Sequence, residues 1–213
     1  MTSLPESFLT TPIAHRALHD LARGVPENSR AAIRAAMDHG YGIEIDLQPS
    51  RDDVAMVFHD YDMNRLTGVP GPLRQKSAEE LGATRLLGCD EGIPTLAEIL
   101  AFVAGRVPLL IELKDQHGQM GETCGTLEAA TLRALEGYAG PVALMSFNPH
   151  MVAHLAHHAP GLPRGLVGCG YPAGDWPLLR EETRARLRAL PDAERVGASF
   201  ISQNWRDLDT PRV

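Results

Sequence analysis

Cysteine is scarce in this chain, and its spacing excludes the chemistry it usually signals. There are three, Cys89, Cys124 and Cys169, an odd number with wide gaps and no Cys-x-x-Cys pair. That argues against a disulfide framework or a thiolate zinc site and favours reduced thiols in a cytoplasmic protein. No apolar run approaches the roughly 20 residues of a membrane span. The opening Met1–Phe8 has no basic region ahead of an apolar stretch, so it does not read as a secretory signal. Lysine and arginine form no cluster, which excludes a nucleic-acid footprint. Repeats and low-complexity tracts are also lacking. The formal charge is -7, from 20 basic and 27 acidic residues, so an anionic substrate needs positive charge supplied locally.

What remains is ordinary globular composition, 44% hydrophobic and 22% charged over 213 residues, enough for one sizeable core. Short apolar runs alternate with helical patterns, which predicts βα units on a parallel sheet. We expect parallel strands at 11–16, 42–47, 107–113, 141–146, 164–168 and 197–202. Helices are expected from about 29 to 39 (capped by Asn28 or Ser29) and at 95–104, 122–138, 149–158 and 178–189. The run 54–58 follows the second strand too closely for a parallel crossover, so it should hairpin back. A turn at 51–52 would pair positions summing to about 103, which puts His59 opposite Glu44, give or take one residue. Residues 61–93, rich in glycine and without a period, read as a loop-rich insertion. Six parallel strands make an incomplete (β/α)8 barrel, a fold that typically takes about 250 residues and eight strands. We therefore expect one barrel domain over 1–213, with about six of eight βα units and an unfinished C-terminal side.

Four apolar runs stop on charged residues: Ile13-Ala14-His15-Arg16, Ile43-Glu44-Ile45-Asp46, Val57-Phe58-His59-Asp60 and Ile111-Glu112-Leu113-Lys114. Charges at the ends of buried strands are costly unless something satisfies them. Glu44 and Asp46, two apart, share one strand face, with the isoleucines on the other. Glu44, Asp46 and Glu112 offer oxygen only, which suits Mg²⁺, Ca²⁺ or Mn²⁺ better than Zn²⁺. Arg16 and Lys114 would offset the surplus negative charge and attract phosphate. His15 and His59 supply an acid and a base near neutral pH. Together these are parts for displacing an alcohol from a phosphodiester.

Those segments resemble the glycerophosphodiester phosphodiesterases of the phospholipase-C-like barrel superfamily. Ile13-Ala14-His15-Arg16 followed by Pro26-Glu27-Asn28-Ser29 is similar to the family's opening signature. Glu44-Ile45-Asp46, Phe58-His59-Asp60 and Ile111-Glu112-Leu113-Lys114 are similar to its metal-pair, second-histidine and third-ligand motifs. Pro94-Thr95-Leu96-Ala97-Glu98 and Ser146-Phe147-Asn148-Pro149 also fit. The resemblance implies a small-molecule glycerophosphodiester substrate and one divalent cation on Glu44, Asp46 and Glu112. It implies His15 and His59 as acid and base, Arg16 and Lys114 on phosphate, and the 61–93 insertion as a small domain over the site. Two rival readings stay open: a lysophospholipase D or related phosphodiesterase, and a non-catalytic barrel that binds a metal or phosphate.

Other residues take supporting roles. Glu27 would orient Arg16, Asp60 reads first as a turn residue that could also fix the tautomer of His59 or another site group, and Asn28 reads first as a helix cap. Phe147 and Trp205 are pocket-lining candidates, with core packing favoured for Phe147. Ala17 stands where the family has glycine; it would be strained if positive φ is needed there, or would instead just narrow the pocket. His150, His154, His157 and His158 share one helical face, the other arrangement with metal-binding spacing, but a solvated face is favoured.

Overall fold

A computed structural model describes residues 2–209. The chain falls into two compact units. The first comprises Pro5–Leu113 and Thr126–Val142, the second Lys114–Gly125, the chain from Ala143 onward, and the N-terminal residues up to Leu4. The end of the chain, on which the expectation of an unfinished barrel turned, lies outside the described residues apart from Asp209.

In the first unit, helix α1 (Ser7–Thr10) precedes strand β1 (Ile13–Ala14), then come helix α2 (Arg30–Asp38), strand β2 (Gly42–Pro49) and strand β3 (Ala55–Val57). Helices α3 (Asn64–Thr67), α4 (Ala78–Ala83) and α5 (Leu96–Val103) lead to strand β4 (Leu109–Leu113), and helix α6 (Thr126–Leu135) completes it. β2 is central, parallel to β1 on one side and to β4 on the other. β3 runs antiparallel to β2, as expected, pairing Leu47 with Val57 and Pro49 with Ala55. Those pairs sum to 104, inside the expected margin. All eight residues of β2 are buried. Ile43, Ile45 and Leu47 are fully enclosed on one face, which leaves Glu44, Asp46 and Gln48 for the other.

The first strand is shorter than expected for a physical reason. Arg16 and Ala17 have φ of 55° and 63°, so the chain leaves the extended region before reaching them. Ser29, not Asn28, caps α2, its hydroxyl accepting from the Ala32 N–H at 3.1 Å. Asn28 is released for another task. The insertion is more ordered than its composition suggests. Its Met63, Leu66, Leu73, Leu81, Leu86 and Ile93 form a buried cluster together with Met56 and Phe58 of the preceding hairpin. Its helices have only four and six residues, too short to print a period on the sequence. α4 and α5 both begin with a capping box, Ser77 with Glu80 and Thr95 with Glu98.

The second unit holds parallel strands β5 (Val142–Ser146, all but its first residue), β6 (Arg164–Gly168) and β7 (Phe200–Gln203). Helix α7 (Pro149–His158) connects β5 to β6, and α8 (Glu181–Arg188) connects β6 to β7. Asn148 caps α7 through the His150 N–H at 2.8 Å, with Pro149 at the first helical position. Its amide also donates to Asp115 Oδ1 at 2.7 Å and to the Gly121 carbonyl at 2.9 Å, which ties down the segment after β4. The helix expected at 122–138 therefore starts only at Thr126, after Gly125 with φ 77°. Likewise α8 starts at Glu181 rather than 178, because Arg180 is extended, with ψ 154°. Among the described residues no helix is long and apolar enough to cross a membrane.

Candidate metal and active site

Parallel register brings the acidic side chains together. Asp46 on β2 is the direct lateral partner of Glu112 on β4. Glu44 lies two residues earlier on the same face of β2, so all three side chains emerge side by side. Oxygen atoms of Glu44, Asp46 and Glu112 lie within 4.8 Å of one another. Two oxygens each about 2.4 Å from a shared ion are separated by up to about that distance. Their residues are 4%, 0% and 5% exposed. Three carboxylates so close and so buried repel one another strongly unless positive charge is present. The donor set is hard oxygen throughout and fits a divalent cation of the Mg²⁺, Ca²⁺ or Mn²⁺ class.

The turn after β1 wraps around these carboxylates. The Arg16 backbone N–H donates to Glu44 Oε2 at 2.8 Å, and the Ala17 N–H to the Glu44 carbonyl at 3.0 Å. Both bonds come from the left-handed turn at 16–17, so the backbone of that turn bears directly on Glu44. Arg16 also sets its guanidinium beside Asp46, with Nε 3.7 Å from Oδ2. Asn28, with φ 58°, grips Asp46 at two points. Its amide donates to Asp46 Oδ2 at 2.9 Å, and its carbonyl oxygen accepts from the Asp46 N–H at 3.2 Å. The helix-cap role expected for Asn28 is thus replaced by direct support of a candidate ligand.

A second set of groups surrounds His59. Its Nδ1 is 2.7 Å from Asp60 Oδ1. With a carboxylate as acceptor, Nδ1 carries the proton and Nε2 is the basic nitrogen. Gln48, buried beside the metal-ligand face, donates its amide to the His59 carbonyl at 3.1 Å. The expected link from Glu27 to Arg16 is present, Nη1 to Oε1 at 3.0 Å. Burial works to raise the Glu27 carboxyl, but hydrogen bonds from Arg65 and the charge of Arg16 outweigh it and hold the pKa below the ordinary value. Asp60 behaves the same way, with burial opposed successfully by Arg65 and His59. His15, one residue beyond β1, is exposed. Sequence reasoning missed Arg65. It lies in an aperiodic stretch, 38 positions from Glu27, and no local pattern announces it.

Lys114, Phe147 and Trp205 belong to the second unit. Lys114 is half-buried directly after β4. Phe147 packs on Tyr171 and Trp176, with ring centroids 6.1 and 5.1 Å away, the core role favoured for it. Trp205 is 71% exposed with the Arg206 guanidinium over its ring. On α7, the His154 and His158 rings stack at 4.1 Å and His157 meets His158 edge-on at 4.7 Å. These histidines form no group of three or more converging ligands among the described residues. Among the described residues, Glu44, Asp46 and Glu112 are the one set of three or more potential ligands that converge.

Residues 15–198 match the model of the glycerophosphoryl diester phosphodiesterase family. The chain belongs to that family. Its members are phosphoric diester hydrolases. It is 32% identical over 171 residues to a glycerophosphodiester phosphodiesterase of Caldanaerobacter subterraneus, covering 76% of this chain and 68% of that one. It is 35% identical over 116 residues to YhdW of Bacillus subtilis, covering 51% of this chain and 46% of that protein. Among solved structures, a phosphodiesterase of Oleispira antarctica in complex with the product sn-glycerol-3-phosphate superposes with a TM-score of 0.72. It covers 92% of this chain and 76% of its own, at 23% identity. A glycerophosphodiester phosphodiesterase of Thermotoga maritima gives 0.67, covering 94% and 76%, at 20% identity. The fold class is therefore the α/β barrel type of the family, as the alternation of strands and helices predicts.

Proposed function

We propose that this chain hydrolyses glycerophosphodiesters to sn-glycerol 3-phosphate and an alcohol, using one divalent cation held by Glu44, Asp46 and Glu112. The observation that carries this reading is the convergence of those three buried carboxylates within 4.8 Å. When bound, the cation supplies Lewis-acid neutralisation of phosphate charge and lowers the pKa of a coordinated hydroxyl or water.

The protein's own groups account for the remaining chemistry. Arg16, anchored by Glu27, and Lys114 hold the phosphate against the negative field of the chain. His15 and His59 form the acid/base pair. One takes the proton from the attacking oxygen as its bond to phosphorus forms. The other delivers a proton to the departing alcohol oxygen as the second P–O bond breaks. Asp60 keeps the His59 proton on Nδ1, so Nε2 is the nitrogen that handles the transferred proton. The odd number and wide spacing of the cysteines support a cytoplasmic setting for this activity.

The test is hydrolysis of glycerophosphocholine after chelation and re-addition of Mg²⁺, Ca²⁺ or Mn²⁺. We expect turnover only with a cation, and its loss in Glu44→Gln. Equal turnover in that variant, or full activity in chelator, overturns the reading.

A further inference from the structure

The insertion contributes one side chain to the charged network around the site. Arg65 on α3 spends both edges of its guanidinium on carboxylates. Nε and Nη2 donate to Asp60 Oδ2 and Oδ1 at 2.6 and 2.8 Å. Nη1 and Nη2 donate to Glu27 Oε2 and Oε1 at 2.9 and 2.8 Å. Each carboxylate then meets a second partner. Glu27 Oε1 accepts from Arg16 Nη1 at 3.0 Å, and Asp60 Oδ1 lies 2.7 Å from His59 Nδ1. Charges alternate along the path Arg16, Glu27, Arg65, Asp60, which ends on the His59 ring.

A planar fork fixes a carboxylate in orientation as well as in distance, which a lysine's point charge cannot do. Here one plane fixes two carboxylates at once. The backbone of Arg65 is itself held. Its neighbours Leu66 and Thr67 are buried, and Leu66 joins the core of the insertion. Gly68, with φ 73°, ends the helix one residue later. Two acidic side chains that each grip a reactive group are thus tied to one guanidinium.

We propose that Arg65 is a positioning residue that orients the phosphate-directed Arg16 and the proton-transferring His59 together, acting through Glu27 and Asp60. The inference rests on the phosphodiesterase reading of the site. It assigns the insertion a part in setting the catalytic geometry. Small misplacements of reacting groups are enough to cost about 100-fold.

The test compares Arg65→Ala, Arg65→Lys, Asp60→Ala and the double variant Arg65→Ala/Asp60→Ala, with glycerophosphocholine as substrate and a thermal melt on each. Arg65→Ala should lower kcat about 10- to 100-fold through His59 and raise KM about tenfold through Arg16. Arg65→Lys should stay impaired although it keeps the charge. Free guanidinium at millimolar concentration should restore much of the loss in Arg65→Ala and none in Asp60→Ala. The Asp60 substitution should cost far less in the Arg65→Ala background than alone. Full activity in Arg65→Lys, additive effects, or lowered melting with unchanged kcat and KM overturns the proposal.

Binding of inorganic phosphate, measured by calorimetry, separates this outcome from failure of the functional reading. It should weaken about tenfold in Arg65→Ala and recover with guanidinium even where no diester is hydrolysed. Unchanged phosphate affinity in that variant counts against the proposal whatever the enzyme turns over.

Discussion

Helix α7 and the rim around β2 both concentrate histidine, yet only one of them has the surroundings of a reactive site. On α7, three imidazoles touch one another and solvent, and the one polar contact resolved for His158 is with its own helix, at the His154 carbonyl. On the rim, His59 is a single ring with a carboxylate on Nδ1, and that carboxylate is clamped in turn. The i, i+4 spacing on α7 can serve a metal, yet a solvated face is the expected reading there. Convergence from different strands, burial and supporting partners set the rim apart. Histidine density is a weak indicator of chemistry, and the quality of the partners a ring has is a better one.

The sharpest way to break this contrast is to remove each set of rings. His59→Asn should lower kcat about 100- to 10,000-fold, the usual worth of a positioned acid or base. Replacing His154, His157 and His158 together by alanine should leave turnover within about twofold. Steady-state kinetics on glycerophosphocholine decides between them. A large loss from the triple α7 variant, with His59→Asn near wild type, would invert our assignment.

The supporting partners give the next effect in size. Asn28 does for Asp46 what Asp60 does for His59, holding the group through a hydrogen bond that no apolar side chain can replace. Asn28→Ala should weaken cation affinity about 10- to 100-fold, the usual range for groups behind a metal ligand, read as the activating concentration of Mg²⁺ or Mn²⁺. Asn148→Ala is the matching change at the head of α7. It should lower the melting temperature while leaving that concentration unchanged, because Asn148 serves a helix cap and the segment 114–125.

Asn28 also shows how far the sequence was legible. Motif spacing identified Glu44, Asp46 and Glu112, and strand periodicity correctly put the first two on one face. The hairpin from β2 to β3 followed from a connection too short to cross over. The role of Asn28 did not follow, because its position before Ser29 looks like a cap in one dimension. In three dimensions Asn28 takes φ of 58° and its amide meets Asp46 instead. Arg65 was invisible for a related reason. Its partners are 5 and 38 positions away, and the four-residue helix that carries it is shorter than two turns. Local pattern encodes which face a residue takes on a long element. It does not encode which distant carboxylate a side chain reaches.

Acid should separate the two regions next. Glu27 has a depressed pKa in the folded state, so its ionic bonds contribute stability that is fully present above the ordinary carboxylate pKa. That contribution is lost as pH falls through the lower folded value. Glu27→Gln should therefore cost about 1–2 kcal/mol at pH 7. The gap to wild type should narrow as pH falls below the ordinary carboxylate value and the native carboxyl protonates as well. Urea unfolding at pH 7 and pH 3 measures it. A gap that persists undiminished at pH 3 would mean that packing, not charge, accounts for the loss.

The smallest effect concerns backbone strain, and it also distinguishes rim from helix. Ala17 is 2% exposed and sits at φ 63°, a region that costs an L-residue about 1–2 kcal/mol. Ala17→Gly relieves that strain. It also gives up a buried methyl, worth about 0.8 kcal/mol, and loosens the unfolded chain by about 0.4–1 kcal/mol. These terms nearly cancel, so stability should change by less than about 1 kcal/mol. Ala156→Gly in the middle of α7 has no strain to relieve. It should destabilise by about 1 kcal/mol from helix propensity alone. The two substitutions are chemically identical, so the difference between their urea midpoints reads out the strain held in the turn that orients Glu44. Equal losses at both positions would show that the left-handed turn at 16–17 is relaxed, and that the methyl of Ala17 matters only for what it packs against.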